Sequence, residues 1–153
     1  MNKICPECGA ALPDYTDCQG IFDCFLSKEL SDAAYGEVHM LTVICFMIQH
    51  GRYSDDALEW VAERLRENLD QGVPPAMIRR QVAKLAGKKR RGWRVTRPTH
   101  APRQRKIRWE MTIADVAAQT EDATSYCVLV RRWARLTLTD MQELVEMPVI
   151  YKR

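Results

Sequence analysis

The sequence predicts an all-α fold, a helical bundle in which an N-terminal zinc knuckle docks on a helix hairpin. Apolar residues recur at spacings of three and four in successive segments, capping residues separate these segments, and a Cys-x-x-Cys motif lies near the start. The 153 residues, 46% hydrophobic and 28% charged, suit one folded domain over 1–153. We divide it into a zinc knuckle, a first set of helices, a basic arm or loop, and C-terminal helices: 1–17, 18–87, 88–111 and 112–147.

Residues 1–17 contain many turn-forming residues and no periodic pattern of apolar residues. This is typical of a loop or knuckle that needs a further stabilising interaction, such as a bound metal ion. From Cys18 to Leu30 an apolar face predicts a first helix, and Asp17 is placed to cap its start. That face consists of Ile21, Phe22, Phe25, Leu26 and Leu30. A second helix is predicted from Ser31 to Gly51. Because only about two residues join the two helices, we expect an antiparallel hairpin.

Caps also mark the later helices. Ser54 is placed to begin a third helix that ends at Gly72. Pro75 lies near the first position of a fourth, which ends near Gly87. The apolar stripe of the third helix is Leu58, Val61, Leu65 and Leu69, and that of the fourth is Ile78, Val82 and Leu85.

Two more helices follow the basic segment. Thr112 and Asp115 resemble a capping box, with Asp in place of the usual Glu, and predict a short helix. A longer helix is predicted from about 121 to 147, where Pro148 stops it. We find no strand-like alternation, so the predicted class is all-α.

The motif Cys5-Pro6-Glu7-Cys8-Gly9 predicts a metal site, because two thiolates three residues apart across a tight turn face one tetrahedral ion. Gly9 lets the chain curl there. A redox pair would stand at a helix start beside a βαβ pattern, and the sequence shows neither. We therefore expect Cys5 and Cys8 to bind structural zinc.

Two further ligands are needed. Cys18 is the predicted third, because it begins a helix whose dipole favours a thiolate. A hairpin that turns near Ser31 places Cys18 close to residues 45–50, which favours His50 as the fourth. His39 is the alternative, about 16 Å further along the same helix at 1.5 Å per residue. A closed site of three cysteines and one histidine would be structural, because catalytic zinc usually keeps one position for water.

The remaining cysteines, at positions 24, 45 and 127, are predicted as small buried apolar residues. Since the start of the chain shows no secretory signal, we expect reduced thiols and a cytoplasmic protein. The longest apolar stretch, Met40–Ile48, is far shorter than the roughly 20 residues that span a bilayer, so no membrane span is expected.

Charge is distributed very unevenly along the chain. Residues 79–108 contain 13 Lys or Arg and no Asp or Glu, whereas the other segments contain 10 basic and 20 acidic residues. Such a basic segment favours phosphates or an acidic surface, and the flanking Trp93 and Trp109 have rings that could stack on bases. We expect nucleic acid as the partner. The predicted contacts are Lys88, Lys89, Arg90, Arg91, Trp93, Arg94, Arg97, Arg103, Arg105, Lys106, Arg108 and Trp109.

Two other interpretations stay open. The basic segment could dock on an acidic protein partner, which would make the chain an adaptor or accessory subunit, or fold back on the acidic remainder of this protein. A metal-dependent enzyme is less favoured, because no helix has His-x-x-x-His spacing and no phosphate loop or dinucleotide motif is present. Glu37 and His39 diverge by about 200° on a helix and cannot bind one ion from the same face.

Three features of the sequence occur together: the metal motif, Cys18 at the start of the first helix, and the run Val38-His39-Met40-Leu41-Thr42-Val43 to Gln49-His50. In these features the sequence resembles an uncharacterised bacterial family, a domain of unknown function. The resemblance extends to Thr112–Val116 and to Val130-Arg-Arg-Trp-Ala134, and so covers nearly the whole chain. It implies no activity, and it keeps both histidines as candidate ligands. Gly51 stands where the family tends to have Pro, and 88–108 is longer and more basic than expected.

Overall fold

The computed structural model describes residues 2–88, 95–99 and 104–144, and of residues 85–88 the backbone only. Within these ranges the chain is mostly helical, with seven helices and one small sheet. The elements are β1 (Asn2–Ile4), β2 (Ala11–Pro13), α1 (Cys18–Ser31), α2 (Ala33–Gly36), α3 (His39–Gln49), α4 (Asp55–Gln71), α5 (Pro75–Lys88), α6 (Ile113–Gln119) and α7 (Ala123–Asp140).

The N-terminal segment contains a sheet that the all-α prediction did not include. β1 and β2 are antiparallel, with Lys3 opposite Leu12, and the Cys-x-x-Cys turn joins them. Each strand has only three residues, too few to produce a visible alternation in the sequence. The knuckle is therefore a tiny hairpin rather than a loop.

α1 and α3 form the predicted antiparallel pair. Glu29 contacts Thr42 near one end of the pair, Phe22 stacks on Phe46 in the middle, and Cys18 lies near His50 at the other end. The predicted second helix is interrupted, because α2 ends at Gly36 and α3 starts at His39. A Cβ at Gly36 would lie 2.6 Å from the Glu29 carbonyl oxygen, so this turn requires glycine.

The buried face of α1 is slightly rotated from the predicted one. Cys18, Phe22, Phe25 and Glu29 are buried, whereas Leu30, expected on this face, is 77% exposed. Cys24, expected to be buried, is exposed. These four buried residues follow helical spacings of four, three and four. The core face of α1 therefore includes the carboxylate of Glu29, whereas the prediction allowed only apolar residues there.

The capping predictions are confirmed. Asp17 accepts a hydrogen bond from the Gly20 amide at 2.7 Å, and Ser54 accepts one from Ala57 at 3.1 Å. Gly72 ends α4 in the left-handed region with φ of +68°. Thr112 and Asp115 form the capping box of α6.

α7 is central to the core. Tyr126, Val130, Trp133 and Ala134 have no exposed surface, and the helix contacts α2, α3, α4 and α6. α7 ends at Asp140, before the predicted Met147, and residues 145–148 lie outside the described ranges. On α5, Ile78 is buried, but Val82 is 41% exposed, contrary to prediction.

The basic segment is not the exposed arm predicted for 88–111, as far as its described residues show. Thr96 forms a β-bridge with Tyr53, and Ile107, Trp109 and Met111 are buried. These three side chains alternate with exposed Arg108 and Glu110. That alternation is the period-two signal of an extended segment with one face in the core, which contradicts the predicted exposed arm.

Candidate metal centre and adjoining basic pocket

The structure brings together the four residues predicted as metal ligands. One ligand atom from each of Cys5, Cys8, Cys18 and His50 lies within 4.8 Å of every other, and all four residues are buried. The four side chains come from the hairpin turn, the start of α1 and the end of α3.

The turn between β1 and β2 positions the first two sulfurs. The Cys5 amide donates to the Ala10 carbonyl at 2.8 Å, and the Gly9 amide donates to the Cys5 carbonyl at 3.0 Å. Gly9 has φ of +81°, a conformation that favours glycine. These bonds fold the chain back on itself, so that both thiols point to the same side.

His50 is held in the tautomer that a metal ligand needs. Its Nδ1 lies 2.8 Å from the Phe46 carbonyl oxygen, which can only accept, so Nδ1 carries the proton and Nε2 is free to bind. The ring also stacks on Phe46 with 4.1 Å between centroids, and Phe46 stacks on Phe22. Nε2 lies 3.9 Å from the Cys5 sulfur.

The spacing between ligand atoms fits a tetrahedral ion. With zinc–sulfur bonds of about 2.3 Å, two sulfurs of a tetrahedron are about 3.8 Å apart. The Cys8 and Cys18 sulfurs are 3.6 Å apart, far longer than a disulfide bond of about 2.05 Å. All six cysteines are free thiols. The donor set and its spacing therefore suit a closed metal site with no position left for water.

The two close sulfurs influence each other's protonation. The hydrogen bond between them lowers the pKa of Cys8 and raises the pKa of Cys18, because a thiol at Cys18 stabilises a thiolate at Cys8. A metal ion has to displace that shared proton in order to bind both sulfurs, so acid opposes metal binding.

His39, the alternative fourth ligand, is not at the metal centre. Its Nδ1 lies 2.8 Å from Oε1 of Glu29, a carboxylate with no exposed side-chain surface. The other Glu29 oxygen accepts hydrogen bonds from Thr42, at 2.6 Å, and from the Tyr126 hydroxyl. Burial, and to a lesser degree this hydrogen bond, raise the pKa of Tyr126. His39 thus belongs to a buried polar cluster at the other end of the helix pair.

A pocket adjoins the metal centre. It has a volume of about 380 Å³ and lies between the knuckle turn, the end of α3 and residues 97–99 and 104–109. The backbone of Arg97 donates to the Arg52 carbonyl at 2.7 Å, and Gln104 Nε2 donates to the Ile48 carbonyl at 3.2 Å. These bonds hold the two walls together.

The predicted nucleic-acid contacts have different positions. Arg105, Lys106 and Arg108 are exposed, and Arg97 is half-buried and pairs with Asp55. Trp109 is 8% exposed and belongs to the core, so it is not the surface ring that was predicted to stack on bases. Of Lys88 only the backbone is described. The predictions for Lys89, Arg90, Arg91, Trp93, Arg94 and Arg103 lie outside the described residues.

The pocket residues Glu7, Arg52 and Gln104 were not predicted from the sequence. They lie 45 to 97 positions apart and meet only through the pairing of Tyr53 with Thr96 and the approach of the knuckle to α3. No local spacing announces such a site. The sequence held one indication of this pocket: Glu7 and Arg52 lie beside predicted metal ligands that should meet. In the structure these two side chains form an ion pair at 3.2 Å.

The chain matches one known protein family. No helix in the described part of the chain is long and apolar enough to cross a membrane. No curated protein and no solved structure matches the sequence. A family of unknown function, DUF5946, matches residues 3–142. The fold and the cysteine–histidine centre described above are therefore those of a member of DUF5946, the family to which this chain belongs.

Proposed function

We propose that the chain is a small helical binding protein whose knuckle is stapled by one structural zinc ion. The four buried donors, their tetrahedral spacing and the orientation of His50 support zinc, which prefers sulfur and imidazole ligands in closed sites. Four protein ligands leave no place for substrate on the ion. The role proposed for the metal is to hold the knuckle against the helix pair.

The proposed partner is nucleic acid, and one observation carries this. Arg105, Lys106 and Arg108 are exposed and form no ion pair with any residue the structure describes, and the first two line a pocket together with Arg52 and Arg97. Exposed cations without an acidic partner attract phosphates, because each contact releases a counterion. Arg97, by contrast, pairs with Asp55 of this protein.

Salt dependence of binding tests this proposal. The full chain is mixed with a labelled single strand of RNA or DNA between 50 and 400 mM salt, and the affinity is read from fluorescence anisotropy. We expect log Kd to change linearly with log salt, with a slope near 0.7 per phosphate contacted. No binding at the lowest salt, or no dependence on salt, would exclude nucleic acid and leave the acidic protein surface as the partner.

A charge-matched pair of variants locates the contact. Arg105, Lys106 and Arg108 are changed together to Gln, and a control carries the same change at three exposed cations elsewhere: Lys3, Lys28 and Arg132. The first variant should bind every strand more weakly and show a smaller salt slope, because phosphate contacts carry no sequence preference. Equal loss in both variants would indicate a general effect of net charge.

A further inference from the structure

We infer that the pocket beside the metal centre binds one nucleotide unit that bears a phosphate monoester, with the phosphate at the cationic rim and the base against the wall of the extended segment. This inference rests on the proposed nucleic-acid function and names the ligand of that surface. The ligand chemistry has two sources, a free mononucleotide and the phosphorylated end of a strand.

The charge of the pocket suits a phosphate monoester. Four cations line it, Arg52, Arg97, Arg105 and Lys106, and one carboxylate, Glu7. Glu7 pairs with the first of them and Asp55 with the second. Two positive charges remain in excess, and a phosphate monoester carries about 1.5 to 2 negative charges at neutral pH. A phosphodiester, with one charge, would match less well.

Part of the pocket wall is apolar. Ile107 and Trp109 line the pocket and are 9% and 8% exposed, so each presents only a small part of its side chain. An apolar wall of this kind suits the face of a heterocyclic base. A sugar phosphate with no ring system would leave it in contact with water.

A glutamine on this wall offers a hydrogen-bond acceptor. Gln104 lines the pocket, and its Nε2 donates to the Ile48 carbonyl, which fixes the orientation of the amide. Its Oε1 is buried and has no donor among the described residues. A buried acceptor without a donor is unfavourable, and a base whose amino group reaches this oxygen would supply one.

The size of the pocket selects a single unit. Ligand pockets range from about 300 to 1,000 Å³, and 380 Å³ lies near the lower limit. This volume suits a mononucleotide and is too small for two stacked nucleotides. Because His50 and Pro6 also line the pocket, the metal centre holds one of its walls in place.

Calorimetric titration of the full chain with nucleoside monophosphates tests the inference. The pocket variant combines Arg52→Gln and Lys106→Gln. The control combines Arg66→Gln and Arg132→Gln, since Arg66 forms a comparable ion pair with Glu63 and Arg132 is an exposed cation on α7, and neither lines the pocket. We expect the pocket variant to bind at least about tenfold more weakly and the control less than about twofold, because the lost hydrogen bonds are charge-assisted. Helical content and metal content of both variants are measured alongside.

Two further arms separate the sources and the components of the ligand. A short oligonucleotide is compared with and without a 5′-phosphate. Tighter binding of the phosphorylated strand assigns the pocket to strand ends. If both strands bind equally and mononucleotides also bind, the pocket is assigned to free mononucleotides. Inorganic phosphate is used as a competitor, and we expect it to displace a mononucleotide only at a much higher concentration. Displacement at equal concentration would overturn the contact with the base.

The outcomes distinguish the inference from the function on which it rests. If oligonucleotides bind with the expected salt dependence but mononucleotides do not bind and the 5′-phosphate has no effect, the pocket inference is overturned and the proposed function stands. If mononucleotides bind and longer strands do not, the pocket stands and the proposed function fails. Equal weakening by the pocket variant and the control would also overturn the inference.

Discussion

At the scale of single residues, His39, which begins α3, and His50, which caps its C-terminus, have different roles. Removal of the imidazole in His50→Ala deletes one of four ligands and should abolish stoichiometric zinc binding. His39→Ala should keep zinc at the wild-type level. It should cost about 1–3 kcal/mol of unfolding free energy, because Glu29 is buried and loses one of three partners. Elemental analysis of reduced protein and chemical denaturation measure the two effects.

Equal zinc content in wild type and His50→Ala would contradict this assignment. Loss of zinc in His39→Ala would contradict it as well. Cys24→Ser is a suitable control for the analysis, because Cys24 is exposed and lies outside the cluster. We expect it to retain one ion per chain.

The ligands could be predicted from sequence because their positions follow from local rules. Spacing in the turn identifies Cys5 and Cys8, a helix start identifies Cys18, and the length of the hairpin selects the later histidine. The role of Glu29 could not be predicted in this way, because its partner Tyr126 lies 97 residues further along the chain. A buried carboxylate is recognisable only when its distant donors are in place.

At the scale of elements, the break between α2 and α3 depends on Gly36. In Gly36→Ala the new Cβ would lie 2.6 Å from a backbone oxygen of α1, which cannot rotate away. We expect a loss of about 1–3 kcal/mol, the usual range for overpacking. Gly20→Ala should lose less, because its Cβ would meet the side chains of Thr16 and Asp17, which can move, and alanine favours helix. Urea denaturation measures both, and equal midpoints for wild type and Gly36→Ala would show that the turn relaxes.

The helix starts were predictable because capping uses residues that are adjacent in sequence, as Ser54 and Thr112 show. The break at Gly36 was not, because glycine within an apolar period gives no sign of a tertiary contact. The strands of the knuckle were missed for a different reason. Each strand has only three residues, and the turn and the candidate metal ligands hold the pair in place. Strands this short give no alternation of apolar and polar residues that a sequence could show.

At the scale of the whole molecule, we expect the knuckle and the helical core to depend on the proposed metal ion to different degrees. The knuckle buries Ala10 and Leu12 but has only six residues in strands, too few for independent stability. The core around α7 buries Tyr126 and Trp133 completely, and its packing partners are helices. The knuckle and the start of α1 should therefore need the ion, and the rest of the helical core should not.

Removal of zinc should accordingly loosen the N-terminal part first. Chymotrypsin is applied to reduced protein with and without a chelator, and the cut sites are identified by mass spectrometry. Tyr15 is 89% exposed and serves as an internal reference that is cut in both conditions. Phe22 and Phe25 are buried on α1, and cleavage after them should accelerate when the ion is removed. Tyr126 and Trp133 on α7 should stay protected, and far-UV circular dichroism should change little.

Restoring zinc should reverse the new cuts, because the effect is one of binding rather than damage. If the pattern on α1 is the same with and without chelator, the ion does not stabilise this part of the chain, and the proposed structural role fails. If cleavage at α7 accelerates as much as at α1, the metal site and the helical core unfold as one cooperative unit. The stacked rings of Phe22, Phe46 and His50 would then be the contact that couples them, since they connect the ligand to both helices of the pair.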